Sequence, residues 1–403
     1  MGLDVDKVRE DFPVLQRVIN GKPIVYLDNA CMTLRPIQVI EKIREYYTEY
    51  PACGERSMHK LGRKVDEGVE RSRETLKKFL NARNTKEIIF TKNTTEGINL
   101  VANSLDLKNG DVILGTDKEH NSNMLPWQKL SSRGVKYEIV RSNPDNTFSI
   151  ENFKEKMNKD VKLVAMVHTS NMDGTTTPMK EIVKIAKDHG ALVLMDGAQS
   201  IPHHELNMKK LDADFLAFSG HKMLGPSGTG VLYGKEHLLE KLGTFLVGGG
   251  TVVDTTHSEA KFEELPQKFE AGLQNYAGII GLGEAASYLM KIDKENVEKH
   301  ETELNKRITE GVGDVVDIIG PREAGKRSGI FSFNYKKVDP HEIAMMLDEM
   351  ENICVRSGAH CVHSWFNTHN LKGSVRASIY LYNTLEECEK FIETLKKVID
   401  AVK

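Results

Sequence analysis

No run of about eighteen apolar residues occurs in the chain, so no membrane-spanning helix is expected. Charge of one sign is also scarce: 55 Lys and Arg stand against 58 Asp and Glu, a formal net charge of −3. With no basic excess and no block of like charge, neither nucleic-acid binding nor an interaction tail is indicated. Cysteine is sparse, five in 403 residues, an odd number with no Cys-x-x-Cys pair. That argues against a disulfide framework and a zinc ribbon and makes the reducing cytoplasm the expected compartment. Internal repeats and low-complexity segments are absent. The opening MGLDVDKVREDFPVL has no positive stretch followed by an apolar one, so no secretory signal is expected. Gly2, with Asp4 two residues on, is not read as a lipidation site. What remains is a globular composition, 39% hydrophobic and 28% charged, long enough for two or three domains.

Between about residues 86 and 235, short apolar strands alternate with amphipathic helices. EIIF (87–90), DVIL (111–114), KYEIV (136–140), KLVAMV (162–167), ALVLM (191–195) and DFLAF (214–218) read as buried strands. MKEIVKIAKDHG has helical spacing and ends on Gly190. This alternation predicts a mainly parallel sheet with helices on both faces. Past residue 285 the pattern changes. ENVEKHETELNKRITEGV is helical, and GIFSFNY, HEIAMMLDEM and SVRASIYLY lead to a closing helix. That helix starts at Thr384 with Glu387 three residues on, a capping box, and is expected to bury Leu385, Cys388, Phe391, Ile392, Leu395 and Ile399. The expected class is α/β, with a large mainly parallel-sheet domain over 21–285. Residues 1–20 and 286–403 form a smaller α+β domain, onto which the amino-terminal segment packs.

Ligands of open α/β sheets bind outside the carboxyl ends of the strands. Polar clusters stand there: FTKNTTEG, GTDKEHNSN, HTSN, MDGAQS and FSGHK. Alone, Asp196 is a solvated strand-end residue and Lys222 a surface lysine. Together, past the ends of strands adjacent in sequence, they are what a pyridoxal phosphate site needs: an amine for a Schiff base and a carboxylate for the ring nitrogen. SGHKMLGPSG packs little apolar surface, so burial does not explain its lysine. NTTEG opens a helix whose free N–H groups and two hydroxyls suit an anion, although Thr94 and Thr95 read equally as an N-cap and its neighbour. Ser219 and His221 flank the loop as further donors, and His120 offers a flat ring.

Read together, DFPVLQRVINGKPIVYLDNA, TTEGINLVANSL, GALVLMDGAQS, SGHKMLGPSGTGVLYG, FEAGLQNYAGIIGLG, VRSGAHC and VRASIYLYNTLEE resemble a fold-type I, class V aminotransferase-family enzyme almost end to end. Within that family the chain is similar to group II cysteine desulfurases of the SUF type, which are related to selenocysteine lyases. The resemblance implies a pyridoxal 5′-phosphate cofactor, with Lys222 as the Schiff-base lysine and Asp196 the partner of the ring nitrogen. It puts Gln199 on the phenolic oxygen, His120 on the ring face, and Thr94, Thr95, Ser219 and His221 on the phosphate. Asn171 and Arg376 fall on the substrate carboxylate, and a guanidinium suits that task because it binds a carboxylate bidentately. Arg356 and His59 match the substrate side and the mouth of the site, His59 with a structural role equally open.

By the same resemblance Cys361 accepts the sulfur of L-cysteine as a persulfide and L-alanine leaves, with Lys222 as general base. His360 and Arg356 are basic neighbours of that thiol. A homodimer, a sulfur-acceptor protein or iron–sulfur scaffold, and a role in iron–sulfur cluster assembly follow from the resemblance; no metal, nucleic acid or membrane does. Three positions depart from the family pattern. Ala359 replaces a histidine before the His360–Cys361 pair, Leu273 stands where a threonine reaches the partner subunit's phosphate, and Cys31 replaces an alanine near the substrate. Competing readings are a selenocysteine lyase, a class V transaminase or epimerase, and a noncatalytic metal- or cluster-binding sulfur scaffold built on the HCVH run and the other cysteines.

Overall fold

In the computed structural model, which describes residues 3–55 and 57–403, seven strands form a central sheet. Met1 and Gly2, where the discounted lipidation cue lies, and Arg56 are outside the described residues. The strands are β1 (Ile88–Thr91), β2 (Val112–Thr116), β3 (Lys136–Val140), β4 (Val161–Val167), β5 (Leu192–Asp196), β6 (Phe215–Ser219) and β7 (Gly230–Gly234), in the order β1-β7-β6-β5-β4-β2-β3. From β6 to β3 all neighbours are parallel; β7 runs antiparallel to both β1 and β6. Six of the seven were expected from sequence, and β7, the segment GVLYG, was not.

Apart from the edge strand β3, which is only partly covered, both faces of this sheet are buried, which is why its other strands read as apolar runs. Ile88, Phe90, Met166, Val193, Met195, Leu216 and Phe218 face one core; Ile89, Leu163, Ala165, Leu194, Phe215 and Ala217 face the other. The alternation is the period of two that a strand imposes on its side chains. Helices Thr94–Ser104 and Met179–Asp188 lie on opposite faces, the first adding Ile98, Leu100 and Val101 to one core and the second Ile182, Val183 and Ala186 to the other.

A second, four-stranded antiparallel sheet comprises β8 (Asp317–Ile319), β9 (Ile330–Asn334), β10 (Arg356–Gly358) and β11 (Ser374–Ser378), in the order β8-β9-β11-β10. With the Lys294–Val312, Pro340–Glu351 and Leu385–Ala401 helices it encloses its own cluster, which includes Phe331, Phe333, Leu347, Val375 and Phe391. Val25 and Leu27 join this cluster, and Val25–Tyr26 pairs in parallel with Ile353–Cys354. The capping box on the last helix is present in full: the Thr384 hydroxyl accepts from the Glu387 N–H and the Glu387 carboxylate from the Thr384 N–H. Cys388, Phe391, Ile392, Leu395 and Ile399 are buried as expected. Leu385 is not: as the first residue after the cap it points to solvent and is 49% exposed.

The amino-terminal helix, Val5–Glu10, buries no residue of its own. Arg9 donates to the Tyr382 carbonyl and pairs with Glu387, while Phe12 packs on Tyr382 and Tyr288. No helix among the described residues is long and apolar enough to cross a membrane.

Candidate active site

Five strands deliver their carboxyl ends to one side of the sheet. Asn93–Thr95 follow β1, His120 follows β2, Asn171 follows β4, Asp196 ends β5, and β6 leads from Ser219 into Lys222. With Arg356, Cys361 and Arg376 from the smaller sheet and its loops, these residues line a cavity of about 410 Å³. A small-molecule pocket is typically ~300–1,000 Å³.

At one end stands the amino terminus of the Thr94–Ser104 helix. Asn93, not either threonine, is its cap, accepting from the Glu96 N–H at 2.9 Å. The threonine hydroxyls are therefore free of capping. Thr94 shares a 2.7 Å hydrogen bond with Ser219, whose Oγ also accepts from the Thr94 N–H, and Thr95 shares one of 2.8 Å with Ser122. The helix amino terminus and these four hydroxyls make an anion cradle. It depends on close approach by β7: a Cβ on Gly230 would sit 2.7 Å from the Asn93 Cα.

Lys222 forms no hydrogen bond among the described residues and opens into the cavity. Burial, and then the Arg376 charge, lowers its proton affinity, while Asp196 works in the opposite direction. Asp196 is 3% exposed and accepts from the Ala198 N–H at 2.9 Å; burial raises its pKa, partly offset by that bond and by Lys222. Gln199 donates to the Ala30 carbonyl at 2.6 Å. His120 accepts at Nδ1 from the Ser122 N–H at 3.0 Å, and burial with the charges of Lys222 and Arg376 drives its pKa down to about 3. The ring is thus neutral at physiological pH. His221 is pushed down to about 4 by burial and by Lys222.

The opposite wall comes from the smaller sheet. Arg376, 3% exposed, donates to the Asn171 carbonyl at 2.8 Å and approaches Asp28 at 3.5 Å. Among the described residues its buried Nε has no partner. Arg356 is exposed and 3.9 Å from the same aspartate. The Asn171 amide donates to the His360 carbonyl at 2.8 Å, tying the large sheet to the turn that bears Cys361. On that turn Gly358, His360 and Cys361 all have positive φ, and Cys361 is exposed. His360 is buried against Ser374, and burial holds its pKa well below the usual range.

Every site residue expected from sequence borders this cavity except His59. That residue is the N-cap of the Lys60–Leu80 helix, its Nδ1 accepting from Gly62 at 3.1 Å, and it lies outside the lining. Three contributors were not singled out: Ser122, His363 and Glu119. The first two line the cavity. The third, directly before His120, is buried beneath it, accepting from the Val167 N–H, Thr116 and the Asn123 amide. A carboxylate next to a strand-end histidine in GTDKEHNSN was the available signal. Among the described residues no three His, Cys, Asp or Glu side chains converge as metal ligands.

The chain belongs to the class-V aminotransferase family, whose sequence model matches residues 25–391. Its architecture is that of fold-type I. Its relatives include a probable cysteine desulfurase of Halalkalibacterium halodurans, 40% identical over 401 residues, with 98% of each chain covered. Another, from Staphylococcus aureus, is 40% identical over 400 residues, covering 98% of this chain and 96% of the relative. Among solved structures, the apo cysteine desulfurase of Thermococcus onnurineus NA1 matches with a TM-score of 0.94 at 40% identity, over 100% of this chain and 99% of that one. The S-sulfonic acid form of the Escherichia coli cysteine desulfurase CsdA matches at 0.91 with 29% identity, covering 99% of each chain.

Proposed function

We propose that the chain is a pyridoxal phosphate-dependent cysteine desulfurase that moves the sulfur of L-cysteine onto Cys361 and releases L-alanine. The observation that carries this is one cavity holding an amine without hydrogen-bond partners, Lys222, a buried carboxylate, Asp196, and an exposed thiol, Cys361. Full-length kinship with proteins named cysteine desulfurase supports it.

The donor set fits pyridoxal 5′-phosphate. Lys222 would hold its aldehyde carbon, Asp196 its ring nitrogen, Gln199 its phenolic oxygen and His120 its ring face. Thr94, Thr95, Ser219 and His221 would hold its phosphate at the helix terminus. Bound there, the cofactor supplies a carbonyl for exchange with the substrate amine and a ring that takes up electrons from the α-carbon. The residues do the rest. Arg376, with an unpaired Nε, and Asn171 and Arg356 orient the substrate carboxylate. Lys222, its proton affinity lowered by burial, takes the α-proton. The Cys361 thiolate then attacks the substrate sulfur; an S–S bond forms as the C–S bond breaks, leaving a persulfide on the enzyme.

The proposal extends to a homodimer working in the cytoplasm, handing sulfur to an acceptor protein or scaffold for iron–sulfur cluster assembly. All five cysteines are free, as a reducing compartment favours. It also divides the chain into a large cofactor-binding unit, 21–285, and a small unit, 1–20 with 286–403, to which Val25–Leu27 lend an edge. The test is to incubate the pure protein with cysteine, selenocysteine and keto acids and to measure sulfide, selenide, alanine and transamination products together. Alanine and sulfane sulfur from cysteine, on Cys361, are expected. Transamination without desulfuration would overturn the reading.

A further inference from the structure

Two thiols, not one, open into the cavity. Besides Cys361, Cys31 lines it at the end of VYLDNAC. The two are held differently. Cys31 follows a fixed backbone: the Ala30 carbonyl accepts from Gln199, the Ala30 N–H donates to Ser378, and the Cys31 N–H donates to the Asp28 carbonyl. Cys361 stands on an exposed turn built from left-handed residues, with its carbonyl accepting from the Asn121 N–H at 2.7 Å. Both sulfurs lie close enough to the Lys222 amine for their charge to act on it, and Cys31 also acts on Arg376. Cys31 and Cys361 thus share one cavity with Lys222 and Arg376. Among the other cysteines, burial raises Cys354 to about 11 and Cys388 to about 12, and Cys53 does not line the cavity. Packing does not account for Cys31 either, since it is half-exposed and belongs to no apolar cluster.

We propose that Cys31 is a resolving thiol that discharges the Cys361 persulfide as hydrosulfide when no acceptor protein takes the sulfur. The inference rests on the reading of Cys361 as the sulfur-accepting residue. Cys31 Sγ attacks Cys361 Sγ, forming a Cys31–Cys361 disulfide, and the bond from Cys361 Sγ to the sulfane sulfur breaks. The sulfane sulfur leaves with the bonding electron pair as hydrosulfide, and the Cys31 proton passes to a cavity base or to solvent. Two thiols are oxidised to a disulfide and the sulfane sulfur is reduced by two electrons, so no outside oxidant or reductant is needed. Attack at the inner sulfur is favoured because hydrosulfide is small and a low-pKa leaving group departs faster. Attack at the outer sulfur would instead move the sulfane inward, away from the exposed turn an acceptor can reach. A disulfide needs its Cα atoms within about 7 Å, so closing it would require the Cys361 turn to give up the Asn121 and Asn171 hydrogen bonds that hold it. The consequence is a self-limiting enzyme, arrested as a disulfide until a reductant reopens it.

The holoenzyme decides the matter in a single turnover with equimolar L-cysteine, without reductant or oxygen. Alanine and sulfide are quantified and the cysteines mapped by tagged alkylation and peptide mass. For the wild type, sulfide should equal alanine and a Cys31–Cys361 linked peptide should appear. In Cys31→Ala, and in the near-isosteric Cys31→Ser, the persulfide should remain on Cys361 and the sulfide-to-alanine ratio should fall roughly tenfold until reductant is added. A wild type that keeps its persulfide on Cys361 without a linked peptide, or that carries the extra sulfur on Cys31, overturns the inference. Cys361→Ser separates the two claims. If it makes alanine as the wild type does, the reading of Cys361 fails and this inference with it. If it makes none while the wild type shows no linked peptide, only the inference fails.

Discussion

Burial is what gives Lys222 its chemistry. An exposed amine would keep its proton at neutral pH, whereas here desolvation and the Arg376 charge lower its proton affinity and Asp196 limits the fall. Lys222→Ala should cost at least about a thousandfold in alanine formation, since a positioned base contributes ~10²–10⁴ and the cofactor linkage is lost too. The check is alanine release together with the absence of a borohydride-reducible protein–cofactor bond. Glu119 behaves differently. Burial raises its carboxyl to about 7, against the hydrogen bonds that favour its ionised form. The unfolded chain, with the ordinary value near 4.5, releases this proton first, so stability falls as pH rises from about 4.5 to about 7 and is level above that. Glu119→Gln removes the penalty. Its melting temperature should gain on the wild type between about pH 5 and pH 8, by the equivalent of roughly 3 kcal/mol at most. A gap that does not change with pH would show that Glu119 is ionised throughout. Glu119 escaped the sequence reading because a carboxylate beside a strand end looks the same whether it caps, solvates or lies buried; only the packing of β4 against it tells them apart. His59 was left open for the corresponding reason, and its bond to the Gly62 N–H makes it a cap.

Among elements, the strands that carry the site were the easiest to read, because double burial makes them nearly continuous apolar runs ending in polar residues. β7 was missed because its five residues begin and end in glycine, which reads as a turn, and because an antiparallel insertion leaves no βα signature. The wall opposite the strand ends was legible only through resemblance. Nothing local to SVRASIYLY reveals that Arg376 pairs in register with Arg356 and Ser332, or that the strand stops at Ser378 with Ile379–Tyr382 buried beyond it. The same long-range logic governs Glu270. It binds Arg73 through both oxygens, at 2.8 and 2.9 Å, and accepts from the Phe90 N–H at 2.7 Å, with Arg73 2% and Glu270 5% exposed. The pair joins the Lys60–Leu80 helix, β1 and the segment leading to Leu273. Glu270→Ala would leave the buried guanidinium with only the Ile88 carbonyl and the exposed Glu70, so a loss of about 3 kcal/mol is expected, read as a lower urea midpoint. A loss under about 1 kcal/mol would mean that water reaches Arg73.

At the scale of the whole molecule, exposed apolar residues gather on one segment. Between residues 246 and 273 the described chain exposes Leu246, Val247, Val253, Phe262 and Leu273, the last at 77%. Val252–Thr255 and Ala260–Phe262 form a two-stranded hairpin on which no residue is buried. Apolar surface concentrated in this way marks an interaction site, and a second copy of the chain is the occupant consistent with the proposed homodimer. Leu273 also offers no hydroxyl, and the neighbouring Gln274 amide is spent on its own loop, donating to the Ala271 and Gly272 carbonyls. Two substitutions on the hairpin test the assembly without touching the cavity. The double variant Val253→Lys with Phe262→Glu should sediment as a monomer at micromolar concentration, where the wild type is expected to sediment as a dimer. If two-fold contact completes the pocket, the monomer should also release its cofactor faster on dialysis, while its far-ultraviolet circular dichroism stays that of the wild type. A wild type that is monomeric and fully active at that concentration would show that one chain holds its cofactor unaided, and the apolar hairpin would then need another partner.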